Sequence, residues 1–514
     1  MQTLRLYFTS DLHGYIFPTD YTSQAEKPLG LFQCAADFEK DGNTLVIDGG
    51  DILQGSALNQ YLWQKEKSFV SLAYMMNVCA YDYVTLGNHD FNFGQEALQS
   101  YVKNLNATCL CENVRDVKGQ SLFPAVIHTL ENGLRIGLIG IITDFVNVWE
   151  KKEHLKGLVI SDALQAAENV LEQLKGKVDL TIGIYHGGFE RDLGTGELLS
   201  KTGENIACLI CEKLSFDLLL TGHQHMVVPG RKYHDTYIIQ PPVQGQGYAY
   251  VEVTKTKDEI LFSSQIRVPR QDFVQVVQEE NVPQNPQTKE VSKELQLHKF
   301  IKFAPLKKDM NLWLDEAVGK LPKPLMVEDR VQMALSGNPL ADFFNKLQLH
   351  YSGAQISATS LANEARGLPA NVKRRDLFLA YPYANTFVVL EITGAKLKEA
   401  VERSAEYLEQ KDDGELVVSE RFLKPKVEHY NYDFFAGIQC DIDYSRPHGK
   451  RVLSLCYGGE EVSPEGTFTI CTNDYRASGA GGYPMYVSCP ILSEIKMEMT
   501  DLLLDYFSAK PAFQ

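Results

Sequence analysis

The chain has 514 residues, 44% hydrophobic and 23% charged, which is too long for one core and ordinary for a globular protein, so two domains and a connector are expected. Lys and Arg number 50 against 66 Asp and Glu, a formal net charge of −16. An acidic chain repels nucleic-acid phosphates and is excluded as a wrapper of duplex nucleic acid; small anionic substrates stay open, because bound cations reverse the local sign.

No apolar run is long enough to span a bilayer, so no membrane association is expected. The ten cysteines follow no framework. Leu4-Arg5-Leu6-Tyr7-Phe8 enters a strand at once, with no basic stretch leading into an apolar one. Together these predict reduced thiols, no export signal in this sequence and a cytoplasmic protein.

In chain order, short apolar strands alternate with longer amphipathic segments, the pattern of an α/β domain over residues 1–270. Strands are predicted at Leu4 to Thr9, Thr44 to Ile47, Tyr83 to Leu86, Leu134 to Ile142, Leu180 to Tyr185, Phe216 to Leu220, Tyr237 to Gln240 and Tyr248 to Val253. Ser161 reads as the N-cap of a helix in which Leu164, Ala167, Leu171 and Leu174 recur at helical spacing. Residues 271–330, rich in Gln, Lys and Glu at first, read as a partly helical connector. A second α/β domain is predicted over 331–514. It opens with a helix from Pro339 to His350, whose apolar face is Leu340, Phe343, Phe344 and Leu347. Thr386 to Thr393 reads as a strand and Gly394 to Leu408 as a helix. Lys411 to Glu415 reads as a charged turn, and Cys440 to Tyr444 and Thr467 to Thr472 as strands.

Five blocks carry chemistry, each at the end of an apolar strand and each beside glycine. They are Asp11-Leu12-His13-Gly14, Gly49-Gly50-Asp51, Gly87-Asn88-His89-Asp90, His186-Gly187-Gly188 and Gly222-His223-Gln224-His225. Loops leaving one edge of an α/β sheet converge, so these side chains are expected to meet. Residues two apart on a strand point the same way, which would aim Asp11 with His13 and His223 with His225. Two Asp, one Asn and four His suit Mn, Zn, Fe or Co better than Ca or Mg. The spread of ligands predicts two divalent ions with Asp51 shared between them, clamping a phosphate for in-line displacement. His89 would bind no metal and would act on a phosphoryl or leaving oxygen. Other motifs read as structural. Cys208-Leu209-Ile210-Cys211 is a buried helix face, Cys109-Leu110-Cys111 a strand, and Lys373-Arg374-Arg375-Asp376 a solvated turn.

The five blocks resemble those of the calcineurin-like metallophosphoesterases, and the second half resembles the C-terminal domain of the 5′-nucleotidase family. Tyr430-Asn431-Tyr432-Asp433, Asn473-Asp474-Tyr475-Arg476-Ala477 and Asn92 are most similar to the 2′,3′-cyclic-nucleotide 2′-phosphodiesterase/3′-nucleotidase group of that family. There 5′-nucleotidases carry other residues, with Asp at the position of Asn92. The resemblance implies a four-layer α/β/β/α sandwich followed by an α/β nucleotide-binding domain. It implies one ion on Asp11, His13, Asp51 and His225 and another on Asp51, Asn88, His186 and His223. It implies a base held between Tyr430 and Tyr475, in a pocket lined by the backbone of Tyr475, Arg476, Ala477, Ser478, Gly479, Ala480 and Gly481. Stacking of that kind is worth about 1–3 kcal/mol per base with little base preference. The substrate would be a small nucleotide, with a 2′,3′-cyclic diester opened and the 3′-monophosphate then cleaved. The alternatives are a 5′-nucleotidase or nucleotide-sugar hydrolase, and a nucleotide-binding protein with an inactive site. Around Ser357 to Arg366 the sequence departs from the 5′-nucleotidase pattern.

Overall fold

The central strands of the N-terminal half include runs that are apolar at every position rather than at alternate ones. Leu45, Val46 and Ile47 are each at most 1% exposed, and Leu218, Leu219 and Leu220 are fully buried. Such strands need cover on both faces, which parallel sheets between other layers provide. The structure, a computed structural model, describes residues 1–21, 23–199, 203–269, 299–383, 385–424, 427–495 and 497–508. The chain divides into Met1–Asn311 and Leu312–Gln514.

The first unit holds two six-stranded mixed sheets. One runs in the order Ile260–Arg267, Tyr248–Lys255, Gln2–Thr9, Thr44–Asp48, Tyr83–Val84, Thr108–Cys109. The other runs Val228–Tyr233, Thr236–Gln240, Leu218–Thr221, Leu180–His186, Arg135–Ile142, Val126–Thr129. Gln2–Thr9 is parallel to Thr44–Asp48, and Leu180–His186 is parallel to both its neighbours. Leu4, Leu6, Phe8 and Ile47 of the first sheet share a core with Leu138, Ile182, Ile184 and Leu220 of the second. The outer face of the second sheet packs on the helices Ala163–Leu174 and Ala207–Lys213. On the first sheet's outer face Thr9 bonds Asp48 and Tyr81, which lies just past the helix Val70–Val78. The layer order is helix, sheet, sheet, helix, as the resemblance implied.

The second unit centres on a five-stranded mixed sheet in the order Asp433–Ala436, Ile356–Ser360, Thr467–Asn473, Phe387–Thr393, Ile491–Ile495. Helix Pro339–Ser352 buries Leu340, Phe344 and Leu347 and is capped by Asn338, whose side chain accepts from the N–H groups of Leu340 and Ala341. Of the connector predicted over 271–330, residues 271–298 lie outside the described residues. From 304 onward the chain forms the helix Ala304–Leu314 and the strands Ala317–Lys320 and Leu325–Met326. All ten cysteines are free thiols. Among the described residues no helix is long and apolar enough to cross a membrane.

Several local expectations are corrected. The helix predicted from Ser161 is capped by Asp162, whose carboxylate takes the N–H of Gln165. The helix at Gly394 ends at Ala405, and Leu408 instead opens the strand Leu408–Gln410, paired with Leu416–Val418. Tyr83–Val84 is shorter than predicted; just past it the Thr85 hydroxyl donates to the Leu110 carbonyl. Lys373-Arg374-Arg375-Asp376 is no solvated turn. It starts the helix Arg374–Ala380, with Arg375 buried and bonded to Asp315 and Arg374 paired with Glu316.

Candidate metal centre

The residues of all five blocks lie at or just past the C-terminal ends of parallel strands. Asp11 and His13 follow Gln2–Thr9, Asp51 follows Thr44–Asp48, and Asn88 and His89 follow Tyr83–Val84. His186 ends its own strand, and His223 and His225 follow Leu218–Thr221. Side-chain alternation along a strand therefore does not aim the paired residues, since both pairs stand beyond the pleat. Five of the residues instead adopt left-handed backbone: Asp11 (φ 54°), His13 (48°), Asp51 (60°), His223 (72°) and His225 (55°). Each such residue costs on the order of 1–3 kcal/mol and persists only where its surroundings over-determine it, a pattern common to functional sites.

Hydrogen bonds between the loops supply that determination. The Asp11 N–H donates to the Gly50 carbonyl at 3.0 Å and the His13 N–H to the Asp51 carbonyl at 2.8 Å. The His223 N–H donates to the Asp11 carboxylate at 2.9 Å. Gly50 has φ 93°, and a Cβ there would fall 2.4 Å from the backbone nitrogen of Gly87, so only glycine lets these two loops touch.

Two groups of ligand atoms result. Asp11, His13 and His225 form one and Asp51, His186 and His223 the other, with the atoms of each group within 4.8 Å of one another. Asn88 Oδ1 lies 2.8 Å from His223 Nδ1, which adds it to the second group. The donor set fits cations. His13 Nδ1 is bonded to the Gln54 carbonyl, leaving Nε2 with a lone pair, yet that Nε2 meets His225 Nε2 at 3.0 Å. His186 Nδ1 is bonded to the Gly49 carbonyl, and its buried Nε2 makes no hydrogen bond although Asp51 Oδ2 lies 3.1 Å away. Buried imidazole nitrogens and carboxylate oxygens crowded this closely are what a divalent ion resolves.

Electrostatics point the same way. Burial works against charge on Asp51, but the imidazoles of His186, His89 and His13 outweigh it and hold its carboxyl well below the usual range. Burial would lower His186, and Asp51 reverses this and raises it to about 10. Burial lowers His13, against the pull of Asp51 and Asp11.

His89 sits at the edge of the cluster, its ring centroid 5.4 Å from that of His13. Its N–H donates to Asp51 Oδ1 at 2.7 Å, and its Nδ1 lies 2.8 Å from Asn92 Oδ1.

Sequence reasoning missed three supports. The Asp90 carboxylate accepts four backbone N–H groups, from Gly87, Asp51, Ile52 and Leu53, at 2.8–3.0 Å. It ties the Asp51 loop to the Asn88 loop. Glu204 Oε1 lies 3.0 Å from His223 Nε2, holding the nitrogen opposite the one beside Asn88. Trp149 stacks on the His223 ring at 5.5 Å. Only Asp90 left a trace in the sequence, by following Asn88-His89 directly.

In the second unit Tyr430 is half-buried and Tyr475 is 38% exposed. Arg476 faces inward at 1% exposure. Its guanidinium bonds Asp433, Asn431 and the carbonyls of Tyr430 and Ala480. Asp433 keeps it charged despite burial. It thus joins the Tyr430 segment to the glycine-bearing loop. Gly481, φ 70°, passes so close that a Cβ would fall 1.9 Å from the Arg476 guanidinium. Ser478, Gly479 and Ala480 complete that loop, with the Ser478 hydroxyl turned to the Tyr475 carbonyl.

Fold and site together define a metallophosphoesterase joined to a nucleotidase domain. The family models agree: residues 4–227 match the calcineurin-like phosphoesterases and residues 317–488 match the 5′-nucleotidase C-terminal domain. The chain belongs to the calcineurin-like phosphoesterases that carry a 5′-nucleotidase C-terminal domain, a family of phosphoric-ester hydrolases. A crystal structure of a candidate 5′-nucleotidase from Staphylococcus aureus, in complex with α-ketoglutarate, is similar at 33% identity with TM-score 0.86, covering 99% of this chain and 97% of that one. The 2′,3′-cyclic-nucleotide 2′-phosphodiesterase/3′-nucleotidase of Haemophilus influenzae is 24% identical over 98% of this chain and 84% of its own. The trifunctional nucleotide phosphoesterase YfkN of Bacillus subtilis is 25% identical over 98% of this chain, which spans only 38% of YfkN.

Proposed function

We propose that this protein hydrolyses phosphate esters of nucleosides with two divalent ions, most readily 2′,3′-cyclic nucleotides and the 3′-monophosphates they yield. The observation carrying the reading is the pair of convergent ligand groups with His89 beside them. Asp11, His13, Asp51 and His225 would hold one ion, and Asp51, Asn88, His186 and His223 the other. Bound there, the ions supply a nucleophile at neutral pH and neutralise the phosphoryl oxygens.

The chain's own residues do the rest. The Gly49 and Gln54 carbonyls hold His186 and His13 by their Nδ1 atoms, which turns each Nε2 to the metal side. Asp90 keeps the Asp51 and Asn88 loops in register through its four N–H bonds. His89 contacts the leaving oxygen and donates a proton to it as the P–O bond breaks. Tyr430 and Tyr475 stack the base, on a loop that Arg476 braces from behind.

Asn92, where 5′-nucleotidases have Asp, and the Tyr430 to Asp433 and Asn473 to Ala477 segments support the cyclic-nucleotide preference. The 33% identity to a candidate 5′-nucleotidase favours the second reading, 5′-nucleotide hydrolysis. Phosphate release from 2′,3′-cyclic AMP, 3′-AMP and 5′-AMP, with added Mn and with chelator, tests both. A clear preference for 5′-AMP overturns the first reading. Release from none of the three, or release that chelation leaves untouched, overturns the metal-dependent nucleotidase itself.

A further inference from the structure

His89 does not stand alone on Asn92. The amide of Asn92 could face His89 with either its oxygen or its nitrogen. Its Nδ2 donates to Glu150 Oε2 at 2.7 Å, and a carboxylate only accepts, so the nitrogen is committed there. The oxygen therefore faces His89 Nδ1, 2.8 Å away, and that nitrogen must carry the proton. Glu150 is itself fixed. Its Oε1 accepts from the Lys151 N–H and faces His154 Nδ1, each at 2.8 Å, and its side chain is 5% exposed. It directly follows the short helix Val146–Trp149, whose Trp149 stacks on His223, so the acid is carried by a segment anchored to the metal centre.

We propose that Glu150 is a positioning residue for the reaction, acting through Asn92 to keep a proton fixed on His89 Nδ1, so that Nε2 is the nitrogen that faces the leaving oxygen of the substrate and gives up its proton to it. The inference rests on the proposed role of His89 in nucleotide hydrolysis. The donating form is the imidazolium, with its Nδ1–H on Asn92 and its Nε2–H on the leaving oxygen. When the P–O bond breaks, the electron pair stays on that oxygen, which takes the Nε2 proton and leaves His89 as the neutral Nδ1–H tautomer. The Nδ1 proton stays in place, because a neutral amide oxygen does not accept it. The carboxylate thus orients the imidazole from one side chain further away than an acid at position 92 would.

Glu150→Gln tests this in the full, zinc-loaded chain. Glutamine can offer Asn92 either an acceptor or a donor, so the amide of Asn92 is no longer forced. Nitrogen NMR of labelled histidines, with His89→Gln for assignment, is expected to show His89 protonated at Nδ1 in the parent and a tautomer mixture in the variant. Turnover of 3′-AMP falls about 10-fold or more in kcat, with KM within twofold and metal content unchanged. Turnover of p-nitrophenyl phosphate, whose leaving group needs no proton, stays within threefold. The double variant Asn92→Asp with Glu150→Gln moves the carboxylate onto position 92 and gives it an amide donor behind. It recovers the Nδ1–H tautomer and most of the lost kcat, which a merely structural defect would not allow. A Glu150→Gln protein with parental tautomer and kcat overturns the inference. So does an equal loss on both esters accompanied by metal loss. If the parent turns over no nucleotide, the functional reading fails and the tautomer decides alone: a shift supports the role of Glu150, and no shift overturns it.

Discussion

Replacing Asp90 by Asn removes one charge and no volume, yet the structure predicts that the metal centre loosens. Asp90 Oδ1 accepts the N–H groups of Ile52 and Leu53, and Oδ2 those of Asp51 and Gly87. An amide keeps one of those oxygens and turns an NH2 toward the other two donors. Hydrogen bonds to a charged acceptor are worth about 1.5–3 kcal/mol each, so losing two weakens this junction by about 3–6 kcal/mol. Burial first, and then the neighbouring Asp51 carboxylate, raise Asp90 to about 6 against the pull of its N–H donors. The comparison therefore belongs at pH 8, where the parent side chain is ionised; near pH 5 the gap narrows, because protonated Asp90 already resembles the amide. Two units in one chain make a single melting temperature a poor measure. Amide hydrogen exchange of the segments around 51–53 and 87–92 reads the local opening directly. The lower bound of about 3 kcal/mol corresponds to exchange at least about 100-fold faster in Asp90→Asn. Unchanged protection of both segments at pH 8 refutes the reasoning.

Other expectations follow from the same geometry. Glu204→Gln removes the carboxylate behind His223 Nε2 and weakens binding of the second ion by roughly 10–100-fold, read by competition with a chromogenic chelator; parental affinity contradicts it. Tyr430→Ala loses one stacking face and raises KM by about 1–3 kcal/mol equivalent with kcat little changed, while Tyr430→Phe keeps the parental KM; equal effects of the two substitutions count against stacking. Asp48 is buried, and burial raises it from an ordinary 3.8 to about 8 against its bonds from Thr9 and Gly50. The folded state then holds a proton that the unfolded state has released, so stability declines as pH rises from about 4 to about 8. Denaturant unfolding of the metal-free protein across that range shows the slope, and Asp48→Asn flattens it; a slope unchanged in the variant assigns it elsewhere.

The sequence by itself determined the central strands of the first unit and the five blocks that end them. Leu45-Val46-Ile47 and Leu218-Leu219-Leu220 are apolar at every position, and a run that cannot face water anywhere announces a strand covered on both sides. Asp11, His13, Asp51, Asn88, His89, His186, His223 and His225 each follow such a run within a few residues, so local pattern was enough to list them together. Half-exposed strands such as Ile260–Arg267, only partly shielded and only at alternate positions, gave a weaker signal and were missed. Tertiary structure alone decided how the side chains are held. The left-handed backbone at Asp11, His13, Asp51, His223 and His225 is imposed by bonds between loops, not by residue type. Glu150 reaches Asn92 across 58 residues and Glu204 reaches His223 across 19. The Arg476 side chain is spent on Asp433, Asn431 and two carbonyls inside the fold. A side chain's partners are chosen by which loops the sheets bring together, and that distance is not written in the residues beside it.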